Sequence, residues 1–453
     1  MEIIAQVLFV IALVLGIGFF VRNVKRLVRN IRLGRNIDRT DNPAVRWKKM
    51  AKIALGQYKM VRRPVSGILH IIVYLGFIII NIEVLEIIID GIFGTHRVLG
   101  TWLTSVGAGG LYSFLIGAFE VLALLVLVGV IIFWARRNIV HVYRFLQREM
   151  TSWPKQDANN ILYFEMVLMI LFLVMNAADL QLQTIGSEHY AIVEGGIAGA
   201  FPVSQFLLPI MDGFSEATLI VIERAAWWLH ILGILIFLNY LYYSKHLHIL
   251  LAFPNVYFSK IRPMADMDNI DAVTAEVKLM MDPAADPYAA PPAAEEGAVP
   301  EKFGASDVFD LNQVQLLNAY TCTECGRCTS VCPANSTGKL LSPRKIMMDT
   351  RDRMEEVGAN INKNGKFVDD GKQLLDDYIL REELWACTTC MNCIEACPVG
   401  IDPLSIIVDM RRYLILEQSA GPNDLNGALS NIENNGAPWP YNQMDRLNWA
   451  NEN

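Results

Sequence analysis

Hydrophobic residues along this chain form five long runs that are separated by polar segments. A helix needs about 20 mostly apolar residues to cross a hydrocarbon core roughly 30 Å thick. The five runs are close to that length and lie near residues 3–21, 67–89, 111–134, 161–178 and 218–243. This pattern predicts a five-helix transmembrane bundle within residues 1–262.

After residue 303 the apolar positions recur with a helical period, as in DVFDLNQVQLLNAYT and DPLSIIVDMRRYLILEQ. Ser342 followed by Pro343 is typical of a helix start, because serine caps the first turn and proline fits its first position. The predicted fold is therefore mostly α, with a second α-helical domain over residues 303–418.

Two further segments have the composition of connectors. Residues 263–302 are rich in Pro, Ala and acids, which predicts a tether or a segment that orders against a partner protein. Residues 419–453 form a short tail bearing Trp439, Tyr441 and Trp449. The tail is interpreted as a docking strap, with local packing on the preceding domain as the alternative.

Basic residues predict the orientation in the membrane. No basic segment precedes the first run and no small-residue cleavage site follows it, so a cleaved signal peptide is not expected. The loops 94–107 and 181–216 contain one basic residue, Arg97. Seven bases follow the first run, namely Arg22, Lys25, Arg26, Arg29, Arg32, Arg35 and Arg39. The positive-inside rule then places the N-terminus outside and everything after the fifth helix in the cytoplasm, at an inner membrane.

The segment 42–63 interleaves basic and apolar residues. It is interpreted either as a helix lying along the cytoplasmic membrane surface or as a solvated basic loop.

Composition agrees with a membrane protein. Of the 453 residues 53% are hydrophobic and only 19% are charged, and the mean hydropathy is +0.31. Ordinary soluble domains carry about 25% charged residues. The net charge of −7 conceals bases crowded over residues 22–63. Because these bases flank apolar helices, nucleic-acid binding is not expected.

All eight cysteines fall into two copies of the pattern C-x2-C-x2-C-x3-C-P, which binds [4Fe–4S] clusters in bacterial ferredoxins. The last cysteine of each run normally ligates the other cluster. The predicted ligand sets are therefore Cys322, Cys325, Cys328 and Cys397 for one cluster, and Cys387, Cys390, Cys393 and Cys332 for the other. Zinc binding is the rival interpretation, and a disulfide framework fits less well because the runs are tight. These runs make residues 303–418 a predicted ferredoxin-type domain, and its thiolate ligands favour a reducing compartment for it.

Three of the seven histidines are candidate ligands of haem b. His70 lies one turn inside the cytoplasmic end of the second helix, and His248 lies at the cytoplasmic end of the fifth. His230 lies near the middle of the fifth helix, five turns from His248 and on the same face if that helix is unbroken. The pair His70 and His248 satisfies the depth that a bis-histidine haem needs; ordinary interfacial histidines are the alternative. A second haem at His230 stays open, either with His96 or His189 as the partner or with a five-coordinate iron.

Acidic residues also occur within the predicted membrane helices, where ionisable groups tend to be functional. Glu83, Glu86, Asp90 and Glu120 belong to the outer half of the bundle, and Glu223 and Arg224 begin the fifth helix. They are interpreted either as proton carriers for a quinone or as groups that pair between helices.

The cysteine segments TCTECGRCTSVCPANSTGKLLSPRK and LWACTTCMNCIEACPVGI resemble the paired-cluster domain of the heterodisulfide reductase C subunit and related iron–sulfur oxidoreductases. The five spans resemble the nitrate reductase gamma subunit and the membrane subunit of heterodisulfide reductase, which implies b haems and exchange with a quinone-type carrier. The tail is similar to the segment that precedes a cysteine-rich catalytic domain in longer relatives. Because no ninth cysteine is present, substrate chemistry is expected on a partner chain.

These observations predict an oxidoreductase subunit that links a quinone pool, through haem b and two [4Fe–4S] clusters, to a cytoplasmic partner with a cysteine-rich disulfide or thiol site or a flavin. One alternative is a haem-free, membrane-anchored iron–sulfur redox sensor or assembly factor. Another is a docking subunit whose clusters serve a soluble dehydrogenase.

Overall fold

A computed structural model describes residues 2–190, 196–283 and 302–451. Within these ranges the secondary structure is helical and no β-strand is formed beyond two isolated bridges. The mostly-α prediction is confirmed. The helices of the N-terminal half are α1 (Glu2–Ile31), α2 (Pro43–Met50), α3 (Pro64–Phe93), α4 (Val98–Ser105), α5 (Gly109–Asn138), α6 (Ser152–Thr184), α7 (Leu208–Met211), α8 (Glu216–Tyr240) and α9 (His248–Phe258).

The second half is built from shorter helices. These are α10 (Asp271–Met281), α11 (Gln313–Thr321), α12 (Pro333–Ser336), α13 (Pro343–Asn364), α14 (Leu374–Asp377), α15 (Arg381–Trp385), α16 (Asn392–Ala396), α17 (Pro403–Arg412), α18 (Asn423–Asn435) and α19 (Asn448–Asn451). As predicted, α13 begins at Pro343, and the Ser342 side chain accepts a hydrogen bond from the Lys345 N–H.

Among the described residues, five helices are long and apolar enough to cross a membrane, which is the number predicted from the apolar runs. They are α1, α3, α5, α6 and the segment Glu216–Tyr243 that begins with α8. Each is longer than the run that predicted it, because polar and charged residues extend the helix beyond its apolar part. Within the bundle α6 packs along α8, and α3 packs along α5.

The fifth span is not continuous with the segment that carries His248. After α8 the chain forms two 3₁₀ turns, Leu241–Tyr243 and Lys245–Leu247, and Ser244 between them is extended with φ −110° and ψ 146°. The expectation that His230 and His248 share one face of an unbroken helix is therefore wrong. The Ser244 hydroxyl caps the second turn by accepting from the His246 N–H at 3.1 Å.

The basic segment 42–63 is largely helical, as one of its two interpretations required. It comprises α2, a π-helical stretch Ala51–Leu55 and a 3₁₀ turn Met60–Arg62. Buried Arg46 ties α2 to the end of α9 by donating to the carbonyls of Tyr257 at 3.0 Å and Ser259 at 2.9 Å. Its position along a membrane surface stays a prediction.

The two halves of the chain share one hydrophobic core. Leu27 of α1, Ile161 of α6 and Phe237 of α8 belong to the same buried cluster as Leu316 of α11 and Met354 of α13. The backbones also bond directly, since the Arg35 N–H donates to the Leu311 carbonyl at 2.8 Å. The predicted linker 263–302 thus connects two parts that are packed on each other; it contains α10, and its residues 284–301 lie outside the described residues.

In the tail, Trp439, Tyr441 and Trp449 are 60%, 48% and 74% exposed. About half or more of the surface of each side chain is thus exposed. The docking strap stays a prediction.

Gly34 tests the seam between the two halves. A Cβ at Gly34 would lie 2.6 Å from the Leu311 carbonyl oxygen, whereas a Cβ at Gly18 would meet no atom within 4 Å. Overpacking of this kind costs about 1–3 kcal/mol, so Gly34→Ala is expected to lower the thermal unfolding midpoint of the detergent-purified protein by a few degrees. Gly18→Ala, the control, should leave the midpoint unchanged or slightly raised. Equal midpoints for the two variants would contradict the close approach.

Candidate metal centre

The first cysteine run lies directly after α11. Asn312 and Gln315 start that helix with a capping box, and Cys322 ends it in extended backbone. Glu324 and Gly326 have positive φ values of 54° and 69°, which turn the chain tightly between the cysteines. Gly326 suits its position also because a Cβ there would lie 2.6 Å from Arg344 Nη1. The first run is therefore a compact loop that turns tightly and packs closely on Arg344.

The second run lies between α15 and α17, and the short helix α16 carries Cys393. Thr389 and Met391 turn the chain with positive φ values of 55° and 63°. Cys390 is exposed, whereas Cys322 and Cys332 of the first run are buried. The second run thus has one cysteine at the surface, whereas the first run is partly buried.

The two cysteine runs lie close enough for thiols of one run to act on thiols of the other. Burial raises the pKa of the Cys328 thiol well above its usual value, and Cys397 of the other run contributes to that rise. Burial likewise raises the pKa of Cys393 to about 12, with a contribution from Cys332. The arrangement accommodates the predicted ligand sets, whose assignment stays a prediction. Within the described ranges, no three His, Cys, Asp or Glu side chains converge as closely as the ligands of a single ion.

The loop of the first run is anchored on the membrane half through charged side chains that the sequence alone did not indicate. Buried Lys245 forms an ion pair with Glu324, which lies between Cys322 and Cys325. Glu324 also pairs with Arg351 of α13 at 2.8 Å. Charged residues inside a C-x2-C spacing were the available signal, but their partners are distant in sequence.

A second anchor lies on the other side of the same loop. Arg344 is fully buried and donates to Glu149 at 2.7 Å and to the Arg144 carbonyl at 2.8 Å. Arg344 also donates to the carbonyl of Glu324 at 3.3 Å. The segment between α5 and α6 is thereby tied to the first cysteine loop.

The structure brings His70 and His248 together. Their ring centroids are 6.3 Å apart, with 44° between the ring planes. His248 Nδ1 lies 3.2 Å from the Lys245 carbonyl oxygen. Because a carbonyl can only accept a hydrogen bond, this nitrogen is the donor. His70 Nδ1 is buried and has no hydrogen-bond partner in the described part of the chain. His246, which the sequence did not indicate as a ligand, lies perpendicular to His248 at 5.4 Å.

His230 is not brought to another histidine. Its Nδ1 lies 3.0 Å from the Leu168 carbonyl and its ring packs on Phe172 at 5.9 Å. His96 instead bonds Asp179 at 3.0 Å and lies 5.7 Å from the His189 ring. Leu168 and Asp179 are about 16 Å apart along α6. His96 and His189 are therefore not placed to ligate with His230.

The acids that the sequence places in the predicted outer half are mostly engaged in hydrogen bonds and ion pairs. This agrees with the interpretation that they pair between helices. Arg97 donates to Asp179 at 2.5 Å, to Asn176 at 2.9 Å and to the Tyr112 hydroxyl at 3.1 Å. Glu86 accepts from the Leu99 N–H at 2.9 Å. Asp90 and Glu120 accept from backbone N–H groups too, of Arg97 and Val98 and of Val203 and Ser204 respectively. In the described residues Glu83 Oε2 is buried without a hydrogen-bond partner.

Comparison with known proteins agrees with this site. Residues 315–398 match the model of a 4Fe-4S dicluster domain. The chain is 30% identical to the probable iron-sulfur-binding oxidoreductase FadF of Bacillus subtilis, covering 98% of this chain and 60% of that protein. It is 25% identical to the EtfAB:quinone oxidoreductase of Syntrophomonas wolfei, covering 92% of this chain and 55% of that protein.

A shorter match is to the C subunit of the ferredoxin:CoB-CoM heterodisulfide reductase of Methanosarcina mazei, 33% identical over 22% of this chain and 48% of that protein. The chain spans about 55–60% of the length of its two long relatives. No solved structure matches. The homologues are thus iron–sulfur oxidoreductases and reductase subunits, which confirms the resemblance of the cysteine segments; that of the membrane half to cytochrome b proteins stays a prediction.

Glu149 tests the anchor of the first cysteine loop. Burial acts to raise the pKa of Glu149, but the Arg344 charge and the Ser342 hydroxyl outweigh it and hold the pKa below its usual 4.5. The ionised carboxylate therefore stabilises the fold above pH 4.5, and that contribution is lost as the pH falls through the lowered pKa. At pH 7 Glu149→Gln is expected to cost about 2–5 kcal/mol, because it leaves a buried guanidinium without its anion.

The measurement is the unfolding midpoint of the Glu149→Gln variant and the unsubstituted protein between pH 3.5 and 8. The gap between the two should be constant above about pH 5 and narrow in acid. Glu433→Gln, on the exposed face of α18, is the control and should show no gap. A gap that does not depend on pH would rule out the ion pair as the cause.

Proposed function

We propose that this chain is a membrane-bound electron-transfer subunit of an oxidoreductase, linking a quinone pool through haem b and two [4Fe–4S] clusters to a cytoplasmic partner. The observation that carries the proposal is the direct connection between the two candidate ligand groups. His248 donates to the carbonyl of Lys245, and the Lys245 ammonium pairs with Glu324 inside the first cysteine run. Ligands for a haem and for a cluster therefore belong to one packed unit.

The cysteine residues fit two iron–sulfur clusters. The donors are thiols alone, in two four-residue sets, and the dicluster family match covers both runs. That match favours iron–sulfur binding over zinc. We assign Cys322, Cys325, Cys328 and Cys397 to one cluster and Cys387, Cys390, Cys393 and Cys332 to the other. When bound, such clusters supply one-electron redox chemistry whose potential depends on nearby charge, hydrogen bonds and exposure.

The fit of haem b rests on His70 and His248. Two imidazoles that bind one metal from opposite sides place their bonded nitrogens about 4 Å apart, since each metal–nitrogen bond is about 2 Å. Ring centroids lie further back than the nitrogens, so the observed 6.3 Å suits such a pair. A metal-bound histidine usually donates its other N–H to a carbonyl or carboxylate, as His248 does to Lys245. His230 has a similar bond but no second histidine, so a second haem is not included.

The two cysteine runs differ in exposure. Cys322 and Cys332 of the first run are buried, whereas Cys390 of the second run is exposed. The second run is the place for a redox partner to dock, with a flavin or a cysteine-rich disulfide site. Relatives named as an EtfAB:quinone oxidoreductase and as part of a heterodisulfide reductase support a quinone and a multi-subunit assembly. The basic residues after α1 support a cytoplasmic position for the cysteine domain and an outer N-terminus.

The haem ligands are tested by spectroscopy of purified membranes. Reduced-minus-oxidised spectra should show a b-type band, and His70→Ala and His248→Ala should each abolish it, because each removes one axial ligand. His141→Ala is the matched control, since His141 is exposed on the segment after α5. Absence of the band in the unsubstituted protein would favour a haem-free sensor or assembly factor. Retention of the band in both variants would refute the ligand assignment.

Crossed ligation is tested by electron paramagnetic resonance. Cys397→Ser should change the signal of the cluster held by the first run, and Cys332→Ser should change that of the second. The reason is that each of these cysteines is assigned as a ligand of the other run's cluster. Cys325→Ser and Cys390→Ser serve as references that identify the two signals. If Cys397→Ser altered the same signal as Cys390→Ser, the crossed assignment would fail while the clusters themselves would stand.

A further inference from the structure

A cavity of about 270 Å³ lies on the seam between the membrane half and the cysteine domain. Its membrane-side wall includes Trp153 and Asp157 from the start of α6, and Tyr243 and Lys245 from the turns that follow α8. Its other wall comes from α11, α13 and the first cysteine loop, which contributes Glu324. The predicted ligand groups do not occupy this cavity, since neither the cysteines nor His70 and His248 line it.

We propose that this cavity binds the head group of a quinone or quinol. The inference rests on the proposed function and adds the place where the quinone reacts. The cavity lies where α6 begins and the fifth candidate span ends, which is the level that we assign to the membrane surface. Trp153 and Tyr243 are 47% and 59% exposed there, and such side chains favour the boundary between lipid and water. An aromatic rim at that level suits a flat ring carried on an apolar tail.

The cavity touches both candidate redox groups through single residues. Glu324 in its wall lies between Cys322 and Cys325. Lys245 in its wall accepts the Nδ1–H of His248 on its carbonyl. A ring bound here would therefore contact Glu324, which is next to a cluster ligand, and Lys245, which is hydrogen-bonded to a haem ligand.

The cavity also offers groups that exchange protons. Asp352 is 58% exposed and lies at the solvent side, whereas Asp157 is buried and accepts from the Tyr240 hydroxyl at 2.7 Å. Glu355 is a third carboxylate in the wall and accepts a hydrogen bond from the Tyr320 hydroxyl. Reduction of a quinone takes two electrons and two protons, converting two C=O bonds to C–O–H. The electrons come from the proposed iron–sulfur chain and the protons from the cytoplasmic side through these carboxylates; quinol oxidation is the reverse.

Two other sites compete with this one. The polar group around Arg97 in the outer half includes Glu83, whose Oε2 has no partner in the described residues. A quinone bound there would exchange protons with the opposite side of the membrane. The seam cavity itself could instead hold a phospholipid head group, which shares its polar and interfacial character. The experiment separates the three cases.

The test uses the full chain with its cofactors in phosphatidylcholine nanodiscs and a photoreactive azidoquinone with a short isoprenoid tail. Labelled peptides identified by mass spectrometry should contain Trp153 or residues 242–247. Labelling confined to α3 and α5 near Glu83 would overturn the inference and leave the proposed function intact. Labelling at the seam that phosphatidylethanolamine removes, with quinone reduction unimpaired, would show a lipid site and overturn it as well.

Binding of menadione provides the second measurement. Trp153→Ala and Tyr243→Ala should each weaken it about two- to tenfold, the effect of losing one aromatic contact of about 0.5–1.5 kcal/mol. Tyr143→Ala removes an exposed tyrosine outside the cavity and should have no effect. Unchanged affinity in the first two variants, at unchanged iron content, would contradict the site. Absence of quinone binding and of a haem band in the unsubstituted protein would instead refute the proposed function.

Discussion

The buried ion pair between Lys245 and Glu324 is the contact on which the arrangement of the two halves depends. A buried charge is costly unless a partner neutralises it, and removal of one partner costs about 3–5 kcal/mol. Lys245 belongs to the turn after α8, and Glu324 belongs to the first cysteine run, so the ion pair joins the two halves. Arg351 and Asp157 complete the charged group, one from each half. Arg344 and Glu149 repeat this arrangement beside the same loop. The two halves are therefore stable as one packed body rather than as separate domains on a tether.

This constraint places the first cysteine loop against the histidine pair. Arg327 of this loop is buried. Burial lowers the pKa of its guanidinium, and the thiols of Cys325 and Cys397 act in the opposite direction. The guanidinium donates to a thioether, Met60 Sδ at 2.8 Å, rather than to a carboxylate. A buried cation of this kind is stabilised by negative charge on cysteine sulfurs. The electrostatics of the loop are thus suited to thiolates, which is the state that metal binding imposes.

Sequence reasoning predicted the features that are local in the chain. Apolar run length predicted five membrane helices, and cysteine spacing predicted the paired runs, because each property is contained in a short segment. The break at Ser244 could not be predicted, since SKHLHIL contains neither Gly nor Pro. Its cause is remote: Asp157 of α6 accepts from the Lys245 N–H at 3.1 Å and the Pro154 carbonyl accepts from the Lys245 ammonium at 2.7 Å. The same remoteness hid the roles of Glu324 and Arg327 within the cysteine spacing.

The two ends of the bundle use charge in different ways. At the end remote from the cysteine domain, Arg97 and backbone N–H groups engage most of the carboxylates, so helices α3, α5 and α6 are fastened to one another there. At the end next to the cysteine domain, ion pairs fasten the bundle to the cysteine loop, beside two imidazoles and a cavity. The first set of contacts joins the membrane helices to one another, whereas the second joins the bundle to the cysteine domain. The candidate ligands, the cavity and the exposed Asp352 all lie at that second end, and for this reason the proposed redox chemistry is assigned to it.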